Sequence, residues 1–430
     1  MLDAPVLQQA PVRAILLFAI ALPAIAANWP GWRGPEGTGI AVDKALPLTW
    51  SATENVRWRT ELPERGNSSP IVWGDKVFVT QALSDSKRRT LMCFNRANGQ
   101  LLWQSGPVYA DRETTQADNP YCAATPVTDG ERIIASFGSA GLYCFDFDGK
   151  ELWHRDLGKM EHSFGNAASP MLVGDLCIWN FGPGAGSRLI AINKRNGDIA
   201  WEAQPPEIEL SESDASAKAD GGSWSTPILI KIDGREELIA TFPGGVAGFE
   251  PTTGRQSWKC GGLGTAVYSS PIFGDGAVVA ATSGPGVAKA VAVRPGGSGD
   301  TSANGLLWKK ERLKGSVGTG VIHQGYWFSI SYDGIASCIS MKDGTAVWEN
   351  RLKGLGARGS SWSSMIIADE KIYLPNQSGD VFILRAAPKF EVLAVNTVSE
   401  PTNASLAVSN GEIFIRTDQA LWCIGARKNE

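Results

Sequence analysis

The sequence predicts an all-β chain: an eight-bladed β-propeller of four-stranded antiparallel blades, its ring closed by an N-terminal strand. Three observations carry that expectation. Tryptophan recurs at Trp58, Trp103, Trp153, Trp201, Trp258, Trp308 and Trp348, at intervals of 45, 50, 48, 57, 50 and 40 residues. That is the period of one four-stranded blade. Hairpin-type dipeptides keep step with it at Gly74-Asp75, Asp129-Gly130, Gly174-Asp175, Asp233-Gly234, Gly274-Asp275, Gln324-Gly325, Asp369-Glu370 and Asn410-Gly411. Most carry the Gly or Asn that two-residue hairpin turns demand, and their number sets eight blades. Finally, 49 glycines stand among short apolar runs in 430 residues, which argues for many turns and little helix.

In chain order, residues 1–27 read as a signal peptide. Arg13 precedes an apolar run from Ala14 to Leu22, and Ala24-Ile25-Ala26 fits the small-x-small cleavage pattern. The run is shorter than the roughly 20 residues a bilayer core requires, so no membrane span is expected and the mature chain should be periplasmic or secreted. The first cysteine is Cys93, far from the cleavage pattern, so a lipid anchor is not indicated. Residues 28–430 are expected to form a single propeller domain. Their formal charge, −4 for the whole chain, comes without any basic block, which excludes nucleic acid as a natural partner.

The first full blade should use residues 70–73, 76–81, 90–95 and 101–104 as inner, second, third and outer strands. Inner strands open after Ser-Pro or Thr-Pro at Pro70, Pro126, Pro170, Pro227 and Pro271, where the missing N–H costs no ladder bond. Outer strands follow Gly-x-x-x-Trp at Gly99, Gly149, Gly197, Gly254 and Gly344. The Gly supplies a positive φ; the Trp buries a flat surface between blades. Trp308 follows a longer Gly/Ser-rich insertion, residues 295–305. The seventh blade is degenerate, with Ala386-Ala387-Pro388 in the turn and Leu393 expected in the Trp position. The last unit, residues 405–408, 412–417 and 420–425, lacks an outer strand, which residues 55–61 with the orphan Trp58 should supply. Closure in this way removes exposed sheet edges.

The seven cysteines are odd in number and without tight spacing, a poor disulfide framework. Cys93, Cys144, Cys338 and Cys423 recur at one blade position, which Ala191 and Ala247 take elsewhere. They read as small buried strand residues.

Strand alternation places the long connections, residues 105–121 and the acidic 202–222 (Glu207, Glu209, Glu212, Asp214, Asp220), on one face. Loops there carry function more often than strands do. Asn67, Tyr121, Asn166, Trp224, Tyr268 and Trp362 should enter the channel mouth before inner strands. Asp333, Asn376, Gln377 and Asp418 should approach it from the turns between second and third strands. Singly these residues cap strands and wet a channel; as a group they mark a polar and aromatic funnel on the insertion face. No catalytic set is evident. His154, His162 and His323 lack metal-ligand spacing, and the glycine clusters precede no helix that would cradle phosphate.

The repeated pattern of apolar-x-Ala/Cys-x-Asn/Asp-x-x-x-Gly-x-x-x-Trp, clearest at residues 91–103, 142–153 and 189–201, resembles the tryptophan-docking repeat of the PQQ-like propellers. The opening Asn28-Trp29-Pro30-Gly31-Trp32-Arg33-Gly34-Pro35 is similar to the start of exported members. One branch, the quinoprotein alcohol dehydrogenases, implies pyrroloquinoline quinone and calcium held between a Trp and a pair of adjacent cysteines. This chain has no Cys-Cys pair; Trp224 or Trp362 would be the stacking floor under that alternative. The BamB-like branch implies a non-catalytic docking protein with no cofactor, binding a protein, peptide or glycan on the insertion face. The expected reading is the second, with an alcohol- or sugar-oxidising quinoprotein dehydrogenase as the alternative.

Overall fold

The computed structural model describes residues 27–212, 221–283 and 288–426. The expected signal peptide, apart from residue 27, lies outside the described residues, as do Asp214 and Asp220 of the acidic insertion. Regular structure is almost entirely strand, arranged as eight antiparallel blades in a ring. Blade 1 comprises Ile71–Trp73, Lys76–Leu83, Arg88–Asn95 and Leu101–Ser105. Blades 2 to 7 follow within residues 127–155, 171–203, 228–261, 272–313, 321–351 and 366–397. Blade 8 joins Ala407–Ser409, Glu412–Arg416 and Ala420–Ile424 to Val56–Glu61, which pairs antiparallel with Ala420–Ile424. An N-terminal strand paired with the last strand thus closes the ring, as the sequence predicts.

The turns explain the recurrence of Gly, Asp and Asn. Asp233/Gly234, Gln324/Gly325 and Asn410/Gly411 have positive φ at both positions, the type I′ geometry that matches strand twist. Asp369 and Glu370 adopt it without glycine, at φ 49° and 59°. One turn is displaced from its expected place. In blade 5, Gly274 pairs with Ala277, so the turn is Asp275-Gly276.

Each outer strand carries a bulge one residue before its Trp, and the resulting register identifies the residue opposite the indole. These are Cys93, Cys144, Ala191, Gly248, Ala292, Cys338 and Cys423. In blade 4 the small residue is therefore Gly248, not Ala247. A Cβ on Gly248 would lie 2.3 Å from the Trp258 ring nitrogen. In blade 7 the Trp position is Ala394, not Leu393, and its partner is the larger Ile383. Volume is conserved across the pair, small against Trp and branched against Ala, as close packing requires.

Most of these indoles point to the next blade. Trp58, Trp103, Trp153, Trp201, Trp308 and Trp348 donate to carbonyls of Arg96, Phe147, Lys194, Pro251, Met341 and Ala387. The glycine beginning the following outer strand packs flat on the ring; a Cβ at Gly99 would fall 2.5 Å from Trp58. Trp258 faces the 295–305 insertion and donates instead to the Glu237 carboxylate, 2.7 Å away. Burial raises the pKa of Glu237, opposed by its bonds from Trp258 and Gly296. Blade 7 has no such loop ahead of it, because the chain termini meet in blade 8. There the N-terminal segment inserts Trp50, 4% exposed, into the core shared by blades 7, 8 and 1. The Trp50 backbone N–H donates to the side-chain oxygen of Asn396 in the blade 7 outer strand.

The N-terminal segment also floors the ring. Trp29 exchanges backbone bonds with Val72 of blade 1, and Pro30 accepts from Thr128 of blade 2. Ile40–Ala41 runs parallel to Ile366–Ala368 of blade 7, and Asp43 accepts from Gly411 of blade 8. Between them Arg33, 2% exposed, donates to the carbonyls of Gly37, Thr38, Thr319, Gly320 and Met365. Burial pushes its pKa down to about 9.

Candidate functional site: the central cavity and its mouth

The Ser/Thr that precedes each inner strand builds the channel wall. The backbone N–H of Ser69 donates to the Thr125 hydroxyl, Thr125 to Ser169, Ser169 to Thr226 and Thr226 to Ser270. The series continues from Ser270 to Thr319, Ser364 and Ser405, and Ser405 donates back to Ser69 at 3.0 Å. Eight hydroxyls, one per blade, thus form a closed hydrogen-bonded ring around the axis. The Ser-Pro and Thr-Pro pairs first noticed as strand markers are part of this ring.

The ring encloses a cavity of about 220 Å³, closed below by Trp32 of the N-terminal segment. Of the expected mouth residues, Asn67, Trp224, Tyr268 and Trp362 line it. Trp224 is fixed by donating to Gly165 O and by edge contacts to His162 and Tyr268, each with centroids 4.8 Å apart. Gln377 and Asp418 line an adjoining cleft of about 230 Å³ that shares Asn67 and Asn403 with the cavity. Burial raises the pKa of Asp418 against the pull of Arg65, Arg416 and Arg358.

The other four expected residues serve elsewhere. Asn376 is buried and holds its own turn, bonding to Ser378 and Asp380. Asp333 ties Ser331 and Arg351 together. Asn166 presents its carbonyl to Asn119, and Tyr121 lies under the Arg89 guanidinium, 3.8 Å from ring centroid to Cζ.

That last contact explains why the 105–121 insertion reaches the mouth. Arg89 and Glu113, both nearly buried, pair at 2.6 Å; the Tyr121 hydroxyl donates to Glu113 O. The loop tip is then fastened by Arg65 to Ala117 O, by Asn67 and Asn403 to Asp118 O, and by Asn119 to Phe164 O. Gln116 and Asn119 thereby enter the cavity wall. Sequence reasoning missed these two, along with Trp32, Phe164 and Asn403. For Trp32 the signal available was the Trp-Pro-Gly-Trp-Arg start, whose bulky residues have no place in a strand.

No charged side chain lines the cavity among the described residues. His154 pairs with Glu151, and His323 with Glu370, both away from it. All seven cysteines are buried thiols. Burial pushes Cys93, Cys144, Cys338 and Cys423 up to about 12. No cluster of metal-ligating side chains occurs among the described residues. The wall offers aromatic faces, hydroxyls and amides, groups that can hold a ligand. Pyrroloquinoline quinone is a carboxylate anion; the cavity wall itself carries neither a cation nor a carboxylate among the described residues, and Arg65, Asp118, Arg358 and Asp418 line the adjoining cleft instead.

A profile of the family described as "Outer membrane protein assembly factor BamB" matches residues 37–107, 87–348 and 243–430. Outer membrane protein assembly factor BamB of Yersinia pestis is 22% identical over 286 residues, covering 62% of this chain. The match spans 64% of that relative's length, so the chain covers less than two thirds of it. Among solved structures, BamB from Moraxella catarrhalis superposes with TM-score 0.58 at 15% identity, over 86% of this chain and 97% of that one. A quinohemoprotein alcohol dehydrogenase from Pseudomonas putida reaches TM-score 0.55 at 12% identity, over 94% and 81%. At such identities the structural likeness speaks for the fold alone. With the family profile running from residue 37 to residue 430, this chain belongs to the BamB family of PQQ-like β-propellers.

Proposed function

We propose that this chain is an exported, non-catalytic docking protein that receives a protein partner of outer membrane assembly on its mouth face. One observation carries the reading: an uncharged aromatic centre is rimmed by the charged cleft of Arg65, Asp118, Arg358 and Asp418. Aromatic side chains beside a charged, solvent-accessible rim are features of a protein interface. The fastened 105–121 loop holds that surface in shape before binding, which lowers the ordering cost of association. The names of the relatives supply the process, outer membrane protein assembly. Export rests on the signal-peptide pattern of residues 1–27. No helix among the described residues is long and apolar enough to cross a membrane.

The test is site-specific photo-cross-linking in the native cell from Arg358, with Lys231 on the floor-side hairpin of blade 4 as control. The reading expects a discrete adduct from position 358, lost in Arg65→Glu. It expects reduced outer membrane protein levels when the gene is deleted. Equal labelling from both faces, with unchanged outer membrane proteins, would refute it.

A further inference from the structure

We infer that the floored central cavity is a binding pocket for one uncharged sugar residue, a ligand separate from the protein partner of the rim. The inference does not depend on the docking reading, since it concerns the lumen and not the rim.

Trp32 of the floor segment lines the lumen, and the neighbouring Arg33 guanidinium is spent on the carbonyls of Gly37, Thr38, Thr319, Gly320 and Met365. No positive charge is left to greet an anion. Phosphates, carboxylates and acidic sugars therefore gain nothing by entering.

The hydroxyl ring sets a second condition. Each of its oxygens already accepts one backbone N–H. Among the described residues none of the eight donates its own proton to a protein acceptor, so the ring is a circle of donors in search of oxygens. Free acceptors stand above it. The Asn67 and Asn119 amide nitrogens are committed to Asp118 O and to Phe164 O and Asn166 O, and both residues line the cavity, so what they can offer an occupant is the side-chain oxygen. An apolar occupant would strand these groups unpaired at about 1–3 kcal/mol each. The occupant must be rich in hydroxyls, both donating and accepting.

Aromatic faces set the third. Trp362, Phe164 and Tyr268 are part-exposed at the mouth, with Trp224 behind them. Rings of this kind pack against the C–H face of a pyranose while its hydroxyl edge points down into the ring of donors. The volume, about 220 Å³, is roughly that of seven liquid waters at ~30 Å³ each. That holds a single sugar ring, with the mouth open for the rest of a glycan.

The test uses the full chain and saturation-transfer NMR with glucose, galactose, mannose, N-acetylglucosamine, their disaccharides and glucuronic acid. Tryptophan emission is followed in parallel. At least one neutral sugar should receive saturation and bind with a Kd between roughly micromolar and millimolar. Trp362→Ala should weaken it at least about tenfold and Trp362→Phe less, a tenfold loss being ~1.4 kcal/mol. Arg358→Glu, which reverses a charge of the proposed protein rim without touching the 105–121 loop, should leave it unchanged. Absence of transfer from every neutral sugar would overturn the inference. So would binding indifferent to Trp362→Ala, or binding of glucuronic acid alone that salt abolishes, which would place the site at the Arg65–Arg358 cleft. Failure of the otherwise unaltered protein to give the position-358 adduct, with sugar binding intact, would fault the docking reading and spare this one.

Discussion

Trp58→Ala removes the indole that locks blade 8 onto blade 1. The ring is 7% exposed, donates 2.7 Å to Arg96 O, covers Gly99 and lies 6.1 Å from Phe414. Truncations of buried Trp cost about 3–5 kcal/mol through lost transfer energy and the cavity left behind. Cys423 sits directly across the strand pair from Trp58, so Cys423→Ile alone overpacks the site and should cost about 1–3 kcal/mol. Blade 7 already contains the combined solution, Ile383 opposite Ala394. The double variant should therefore be more stable than Trp58→Ala alone. The cycle should return a favourable coupling of about 2–3 kcal/mol, within the range for residues in contact. The assay is urea unfolding followed by far-UV circular dichroism, with the m-value checked for constancy. A double variant as unstable as the sum of the singles would refute the volume-exchange argument and leave the blade 7 substitution without a packing rationale.

Thr226→Val keeps the shape of the ring but orphans the buried Ser169 N–H; it should cost about 1–3 kcal/mol, read from the shift in unfolding midpoint. Arg33→Met strips five carbonyls of their shared donor. A loss of several kcal/mol, at about 1–3 kcal/mol for each buried carbonyl left unpaired, should appear in thermal melts. Limited proteolysis should then cut near residues 30–45 first. For the thiols, Cys93, Cys144, Cys338 and Cys423 titrate near 12, so at pH 8 roughly one in ten thousand is ionised. A disulfide-exchange dye should leave the folded protein untouched and react with all seven thiols after denaturation; rapid reaction of the folded form would contradict the burial.

Turns and strands were readable because their causes are local. A positive φ at Gln324 and Gly325 or at Asn410 and Gly411 depends on the residues in the turn themselves. Blade number and closure by Trp58 followed from counting such signals, and so did the face that carries the mouth. Six of the ten expected mouth residues do border the cavity or its cleft. Asn376 and Asp333 do not, because short polar side chains satisfy their own turns first.

The remainder depended on contacts between distant parts of the chain. Leu393 and Ala247 were each placed one residue from the true Trp-pair position. A bulge shifts the register by one, and one residue exchanges the two faces of a strand. Only the paired strands reveal where the bulge falls. The Ser405–Ser69 bond that closes the hydroxyl ring joins residues 336 apart, and Arg33 reaches carbonyls 286 to 332 residues away. Composition and period determine that blades form and how many there are. What floors the channel, which loop is tied across its mouth and which groups face the lumen are settled when the ring closes, because buried polar groups must then find partners across it.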